Sequence, residues 1–288
     1  MKVFKYVVLL CFICSPVLHA SSLAITHIRP YGQEDNRNAY FIDMLQLALS
    51  KTEENYGSFE LKQAELVMNQ SRALKSLEYK DNIDVVWTMT SIEREGLFKA
   101  IRIPLLKGLL GYRIFIIRKG TQETFSKVKT LENLKELTAG QGVSWPDMKI
   151  LKANGFSVVG STGYSTLFSM LEGGRFDYFP RGVNEPWAEI KAHQEKNLEV
   201  EKTLIIQYPA PIYFFVNKDN HKLAFRIERG LRIAIADGSF ERLFRKHPAN
   251  KEIFSLANIQ GRRIFRLDNP LLPSQTPLHD ESLWYQGD

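Results

Sequence analysis

The 288-residue sequence predicts an α/β protein built on mostly parallel sheets that helices cover on both faces. Apolar strand patterns alternate with amphipathic helix patterns through about the first hundred residues, and a second alternating unit begins near residue 112. The composition, 44% hydrophobic and 24% charged, is that of an ordinary soluble globular chain with room for one or two domains. The net charge of +6 is scattered and accompanies no nucleic-acid-binding motif, so the sequence predicts no nucleic-acid partner.

The first twenty residues have a pattern typical of a secretory signal peptide. Lys2 and Lys5 precede an apolar run over residues 7–18 that is too short for a permanent membrane anchor, and a Leu-His-Ala sequence at its end suits cleavage. Both cysteines, Cys11 and Cys14, lie in this segment. The exported chain therefore has no thiol for a disulfide, a nucleophile or a zinc site.

The rest of the first hundred residues predicts three strands and two helices. Phe41, Leu45, Ala48 and Leu49 recur at helical spacing and share one face, which indicates the first helix. The predicted strands are 23–28, 59–64 and 83–87, and the second predicted helix is 71–77.

From residue 112 onward the patterns predict a second alternating unit. Ser144, followed by Pro146 in the first turn, is a good N-cap for one of its helices. Residues 180–182, Pro-Arg-Gly, are predicted to break the strand before them. The predicted strands are 112–118, 138–142, 156–159, 176–179, 203–206 and 212–217, and the other helices are 131–137, 164–171, 184–190, 223–235 and 240–246.

The last forty residues differ in composition from the rest. The segment 269–277 is rich in proline, which favours an extended chain, yet Trp284, Tyr285 and several leucines accompany it. These apolar residues predict that the tail lies across a domain surface and is not a free linker.

The stretch 85–104 has the features of a ligand-binding crevice. An apolar strand ending in Trp87 delivers two hydroxyls, Thr88 and Thr90, to the strand end where crevices of α/β sheets lie. Arg94 follows in a short charged turn, and its guanidinium offers a planar fork of donors that fits a carboxylate. We expect all four side chains to contact a ligand. A solvated ion pair between the arginine and the preceding glutamate is the alternative interpretation.

Four local motifs occur in order along the chain. They are Thr90, Glu93, Arg94, Phe98 and Pro104; the loop Gln141-Gly142-Val143-Ser144; the turn Gly174-Arg175-Phe176-Asp177; and the turn Ala236-Asp237-Gly238-Ser239-Phe240. In sequence and spacing they resemble the motifs of the polar-amino-acid family of periplasmic solute-binding proteins, over residues 22–248. The resemblance implies the type II periplasmic binding fold, in which two lobes, each a mostly parallel sheet flanked by helices, are joined by two crossover strands. The solute lies between the lobes.

The resemblance also implies a domain organisation. After a signal peptide at 1–20, the first lobe takes 21–110 and 210–248, the second lobe takes 111–209, and a C-terminal extension over 249–288 packs on the first lobe. Such lobes close on their solute by a hinge motion.

The same resemblance implies roles for three side chains. Arg94 holds the carboxylate of the solute, and the aromatic ring of Tyr31 covers the solute's side chain. Ser144 adds a hydroxyl donor, beside backbone N–H groups that face the same anion.

The sequence departs from the family where an acidic residue receives the ammonium of an amino acid. Arg181 lies there, and a cation repels an ammonium. Arg94 and Arg181 together suit a solute with two anionic groups or without an amine, whereas Glu185 restores a negative charge and retains an amino acid as a candidate. A solvated loop position for Arg181 is a further alternative.

These features predict a periplasmic, monomeric binding protein, not an enzyme, that captures a small carboxylate-bearing solute for an ABC-type importer or a sensor. One alternative is an enzyme on the same fold, similar to dehydratases of cyclic carboxylic acids, with Glu185 as general acid. Another is a regulatory protein whose tail contacts a signalling partner. The six histidines show no i, i+3 or i, i+4 pairing, so the sequence predicts no metal site, and no cofactor motif occurs.

Overall fold

The computed structural model describes residues 22–29 and 38–287, which form two β-sheets with flanking helices. The signal segment and Tyr31 lie outside these described residues. None of the helices in the two ranges has both the length and the apolar composition needed to cross a membrane. The strands are β1 (Leu23–Arg29), β2 (Phe59–Val67), β3 (Val85–Met89), β4 (Phe98–Ile101), β5 (Tyr112–Arg118), β6 (Ala139–Gly142), β7 (Val158–Ser161), β8 (Tyr178–Gly182), β9 (Leu198–Val200), β10 (Leu204–Gln207), β11 (Ile212–Asn217) and β12 (Arg263–Arg266). The helices are α1 (Ala39–Ser50), α2 (Glu53–Tyr56), α3 (Gln70–Glu78), α4 (Ile92–Leu97), α5 (Gln122–Ser126), α6 (Leu131–Lys135), α7 (Pro146–Ala153), α8 (Tyr164–Glu172), α9 (Pro186–Ala192), α10 (His221–Ala236), α11 (Ser239–Lys246) and α12 (Lys251–Ser255).

The first sheet has the strand order β2-β1-β3-β11-β4. β1 pairs in parallel with β2 and β3, whereas β11 runs antiparallel to β3 and β4. All five residues of β3 are buried. Its sequence, Val-Val-Trp-Thr-Met, is mostly apolar, which suits a central strand. The chain therefore leaves this sheet after β4 and returns to it through β11. We call the part built around this sheet the first lobe.

The second sheet has the order β12-β10-β5-β8-β6-β7, and β9 also pairs with β5. β6 is parallel to β7 and β8, but β5 is antiparallel to β8, β9 and β10. We call the part built around it the second lobe. The predicted α/β class with two helix-flanked sheets is confirmed. Both sheets contain antiparallel pairs, which apolar runs in the sequence do not reveal, since strand direction depends on the connections.

β8 continues through the residues that the sequence predicts to break it. Tyr178 pairs with Ala139 of β6, but beyond that point the register is with β5 alone, where Phe115 lies opposite Pro180. Proline is tolerated where one side of a strand has no ladder partner. The predicted break is therefore wrong, and Arg181 lies in a buried strand, 4% exposed, instead of a solvated loop.

The C-terminal extension contacts both lobes. α12 packs beside α11 of the first lobe, where the ring centroids of Phe244 and Phe254 are 5.6 Å apart. β12 lies at the edge of the second sheet, parallel to β10. The sequence predicts packing on the first lobe, and the structure adds a strand to the second.

His27 in β1 makes folding stability depend on pH. The residue is 2% exposed, and its ring lies 5.9 Å from that of Trp87. Burial lowers its pKa from 6.5, an effect that the hydrogen bond with the Ile28 carbonyl partly offsets. The unfolded chain therefore holds the proton more tightly, so stability falls as the pH drops below about 6.5.

We expect His27→Gln to lose less unfolding free energy than the unchanged protein between about pH 7 and about pH 5, because glutamine does not titrate there. Urea unfolding at several pH values measures this difference. Equal losses in the two proteins would contradict the assigned cause.

Candidate functional site

A cleft of about 720 Å³ is lined by residues of both lobes. β3 and α4 contribute to its first-lobe wall. The second-lobe wall includes residues of β5 and β8, and of α7, α8 and α9 with the turns that precede them. The cleft thus lies at the carboxyl ends of strands, where α/β folds bind their ligands.

Arg94 belongs to the first-lobe wall, on a short helix where the sequence predicts a turn. α4 begins after Ser91, whose hydroxyl accepts from the Arg94 backbone N–H at 3.1 Å. The side chain is buried, and Nη1 donates to Thr88 Oγ1 and to the Met89 carbonyl, each at 2.7 Å. Nη2 donates to Gln70 Oε1 at 2.6 Å. Among the described residues, the guanidinium therefore has hydrogen bonds to uncharged oxygens.

The Arg94 charge is not matched by an adjoining carboxylate in the described part of the chain. Burial lowers its pKa to about 10, although Asp147 and Glu93 act in the opposite direction. Glu93 itself pairs with Lys149 at 3.2 Å, so the predicted alternative of a solvated pair between neighbours does not form. At neutral pH the guanidinium remains charged, because the pH is well below its pKa. An anionic group in the cleft would supply the missing counter-charge.

Arg113, a second buried arginine, already has its counter-charge. Nη2 lies 2.6 Å from Asp147 Oδ1, and Nε donates to the Tyr208 hydroxyl at 3.1 Å. That hydroxyl donates in turn to Asp147. Burial disfavours the charged guanidinium, but Asp147, Tyr208 and Glu185 together outweigh it and raise the pKa of Arg113. The pair is therefore electrically neutral.

Arg181 lies between two carboxylates. Nε is 2.8 Å from Glu189 Oε2, and Nη2 is 2.7 Å from Glu189 Oε1 and 2.9 Å from Glu185 Oε1. The rings of Trp145 and Phe179 lie 4.9 and 4.8 Å from the guanidinium carbon. Burial opposes the charge, but the two carboxylates prevail and raise the pKa of Arg181. The cluster thus brings one cation and two carboxylates together in the cleft wall.

Glu185 is the more accessible of these two carboxylates. Its side chain is 18% exposed, against 1% for Glu189. Oε2 accepts from the Gly182 backbone N–H at 2.6 Å. Next to it in the cleft lining, Asn184 is buried, and its Oδ1 has no hydrogen-bond partner among the described residues. The second-lobe wall therefore offers acceptors to a group with several N–H donors.

Most residues that the sequence assigns to the site do line this cleft. Thr90 does not, because its buried hydroxyl donates to Glu95 Oε1 at 2.6 Å. Tyr31 lies outside the described residues. The six that line the cleft are Trp87, Thr88, Arg94, Ser144, Arg181 and Glu185.

Ser144 lines the cleft but does not cap α7. Trp145 occupies the N-cap position, while Pro146 is in the first turn as predicted. The serine hydroxyl is therefore not used by the helix end, and it is exposed in the cleft.

Sequence reasoning missed Arg113, Asp147, Asn184 and Glu189. Two signals were present. An arginine inside an otherwise apolar strand pattern is unusual, and Glu189 follows Glu185 at the i, i+4 spacing of one helix face. Within residues 22–29 and 38–287, no group of three or more His, Cys, Asp or Glu side chains is arranged to hold a metal ion.

No protein-family model and no curated protein match this chain. Solved structures do match. An ancestral arginine-binding protein bound to arginine is similar at 20% identity and a TM-score of 0.56, covering 77% of this chain and 96% of that one. An amino acid ABC transporter substrate-binding protein from Streptococcus pneumoniae, bound to L-arginine, is similar at 16% identity and a TM-score of 0.58, covering 80% and 94%.

A histidine kinase sensor domain with similarity to periplasmic binding proteins is similar at 17% identity and a TM-score of 0.55, covering 77% of this chain and 94% of that one. At identities this low, the structural similarity establishes the fold but does not identify the ligand. The chain has the two-lobed α/β fold of the type II periplasmic binding proteins.

Proposed function

We propose that this protein captures a zwitterionic amino acid between its two lobes. The observation that carries the proposal is the buried guanidinium of Arg94 on the first-lobe wall, whose hydrogen-bond partners among the described residues are uncharged oxygens. The second-lobe wall carries the Glu185 carboxylate and the buried Asn184 Oδ1 atom. An amino acid carries one carboxylate and one ammonium, which suit these two sets of groups.

The carboxylate end of the ligand belongs with Arg94. A buried charge without a counter-charge costs several kcal/mol. Pairing between the ligand carboxylate and this guanidinium offsets that cost for both charges. Thr88 fixes the guanidinium by accepting from Nη1. Ser144 adds an exposed hydroxyl on the opposite wall.

The ammonium end belongs with Glu185 and Asn184. Glu185 is partly exposed, and the Asn184 Oδ1 atom has no partner in the described chain. A solute with two anionic groups is less well matched, because the charge of Arg181 is already balanced by two carboxylates. The two arginine-bound structures of the same fold support the amino-acid class.

Binding without catalysis fits the state of Glu185. Its Oε1 lies 2.9 Å from Arg181 Nη2, and its Oε2 accepts from the Gly182 N–H. A carboxylate whose two oxygens both act as acceptors is poorly suited to donate a proton, as a dehydratase would require of its general acid.

The remaining parts of the proposal concern organisation and location. We assign residues 21–110 and 210–248 to the first lobe and 111–209 to the second, with hinge closure around the solute. We assign residues 1–20 to a signal peptide and the mature protein to the periplasm, where it acts as a monomer. The partner is an ABC-type permease or, as the sensor-domain similarity suggests, a sensor protein.

A thermal-shift screen of mature protein against amino acids, dicarboxylates and aromatic acids tests the proposal. A ligand at 100 times its dissociation constant adds roughly 2.7 kcal/mol to the unfolding free energy. We expect an amino acid to give the largest shift and to be recovered unchanged. The proposal fails if only compounds without an amine stabilise the protein, or if the compound is consumed.

Glu185→Gln is expected to weaken binding of the amino acid about tenfold or more, because the ammonium loses a charged acceptor. Binding of the matching acid that lacks the amine should change little. Titration calorimetry of both compounds measures the difference. Equal weakening of both would assign Glu185 a structural role in place of ammonium recognition.

A further inference from the structure

The C-terminal extension makes two additional crossings between the lobes. It leaves α12 on the first lobe, contributes β12 to the second sheet, and then returns to the first lobe. We call residues 262–287 the C-terminal strap. The cleft residues described above do not include any part of it.

The strap is firmly attached to the second lobe. Arg262 is buried, and its Nη1 donates to the Glu201 carbonyl at 2.7 Å and lies 3.4 Å from Glu201 Oε2. Beyond it, β12 forms a four-residue parallel ladder with β10. Asp268 then exchanges two hydrogen bonds with Asn154 next to the end of α7, at 2.8 and 3.2 Å.

The strap is attached to the first lobe at two places. The Ile92 backbone N–H, at the start of α4, donates to the Leu271 carbonyl at 2.9 Å. Near the chain end, the Tyr285 N–H donates to the Lys107 carbonyl at 2.8 Å. The Trp284 ring covers Gly108 so closely that a Cβ there would lie 2.3 Å from the ring. These contacts hold the returning chain on the lobe that carries Arg94.

The return crossing is very short. Asp268 bonds to the second lobe and Leu271 bonds to the first, so three residue steps separate the two attachments. Three extended residues span at most about 11 Å. The second-lobe attachment, Asn154, directly follows the carboxyl-terminal end of α7, whose other end lines the cleft. The first-lobe attachment, Ile92, is the first residue of α4, the helix that carries Arg94. An opening that moved Asn154 and Ile92 farther apart than this short crossing reaches would have to break an attachment.

We propose that the C-terminal strap limits opening of the cleft and thereby sets solute affinity without touching the solute. The affinity part of this inference rests on the proposed function; the restraint on opening does not. A strap that holds the lobes near their binding geometry keeps the competent fraction of molecules high. The apparent dissociation constant equals the intrinsic one divided by that fraction.

The test lengthens the return crossing and leaves both attachments in place. Six Gly and Ser residues are inserted between Asp268 and Asn269. The control carries the same insertion between Gln194 and Glu195, an exposed turn of the second lobe. Because the chain after residue 20 contains no cysteine, Lys75→Cys on α3 and Lys191→Cys on α9 accept one spin label each. Pulsed electron spin resonance then reports the distance between the lobes.

Without solute, we expect the lengthened variant to show a population at longer distances that the control and the unchanged protein lack. If opening reduces the competent fraction to about a tenth, the dissociation constant rises about tenfold. Saturating solute should return all three proteins to the same distance. Asn154→Ala removes both hydrogen bonds to Asp268 and should also shift the distances to longer values. This variant serves as the test if the protein with the insertion does not fold.

If the distances between the lobes are unchanged in both the lengthened variant and Asn154→Ala, the strap does not limit opening and the proposal is wrong. If the distances lengthen but no amino acid binds to any of the proteins, the strap stands and the proposed function fails.

Discussion

Replacing Arg94 with alanine is expected to weaken amino-acid binding by at least about hundredfold, or ~3 kcal/mol, because the bound carboxylate loses its counter-charge in a buried site. The guanidinium is buried and is held by Thr88, Met89 and Gln70, so it is already oriented before the ligand arrives. Titration calorimetry with the strongest ligand of the screen measures the loss.

Two variants make this result specific. Arg232→Ala removes the same charge from an exposed side chain paired with Glu228, and its affinity should equal that of the unchanged protein. Arg94→Lys keeps the charge but loses the planar fork of donors, so intermediate affinity is expected. Unaltered affinity in a folded Arg94→Ala protein, with its circular dichroism retained, would exclude this arginine from the binding site.

The second large effect concerns stability. Asp147→Ala is expected to lower the unfolding free energy by about 3–5 kcal/mol, because it leaves Arg113 charged and unpaired in the interior. Asp147 is the acidic partner of Arg113 at 2.6 Å, and both side chains are buried. The Tyr208 hydroxyl loses its acceptor in the same variant. Urea unfolding followed by fluorescence measures the change.

An exposed ion pair provides the matched comparison. Glu123→Ala breaks the pair between Glu123 and Lys127. The Glu123 side chain is 81% exposed and the Lys127 side chain is 73% exposed. A change below about 0.5 kcal/mol is expected there, since water already solvates both charges. A similarly small change for Asp147→Ala would mean that Arg113 finds another partner or water, and the buried-pair explanation would fail.

The first-lobe half of the site could be predicted from local sequence. An apolar strand with hydroxyls at its end, followed by Arg94, was sufficient to place Trp87, Thr88 and Arg94 in the cleft. The same reasoning placed Thr90 there, which the structure contradicts. Whether a hydroxyl faces a cleft or bonds to a neighbour such as Glu95 depends on the helix that follows, and the sequence indicated only a turn.

The second-lobe half of the site was harder to predict. The strand break expected after Phe179 depends on whether β8 has neighbours on both sides, which local composition does not indicate. Without the strand, Arg181 looked like a free cation. Its pairing with Glu189 becomes visible only when β8 and α9 are brought together.

By itself, the sequence determined the α/β class, most strands and helices, and the arginine at the end of a central strand, because hydrophobic spacing acts over a few residues. The tertiary structure alone decided which of the three buried arginines in the cleft lining has no adjoining carboxylate among the described residues. It also decided that the tail joins the second sheet before returning to the first lobe. The physical reason is that charge pairing and strand pairing depend on distances through space between residues far apart in the chain.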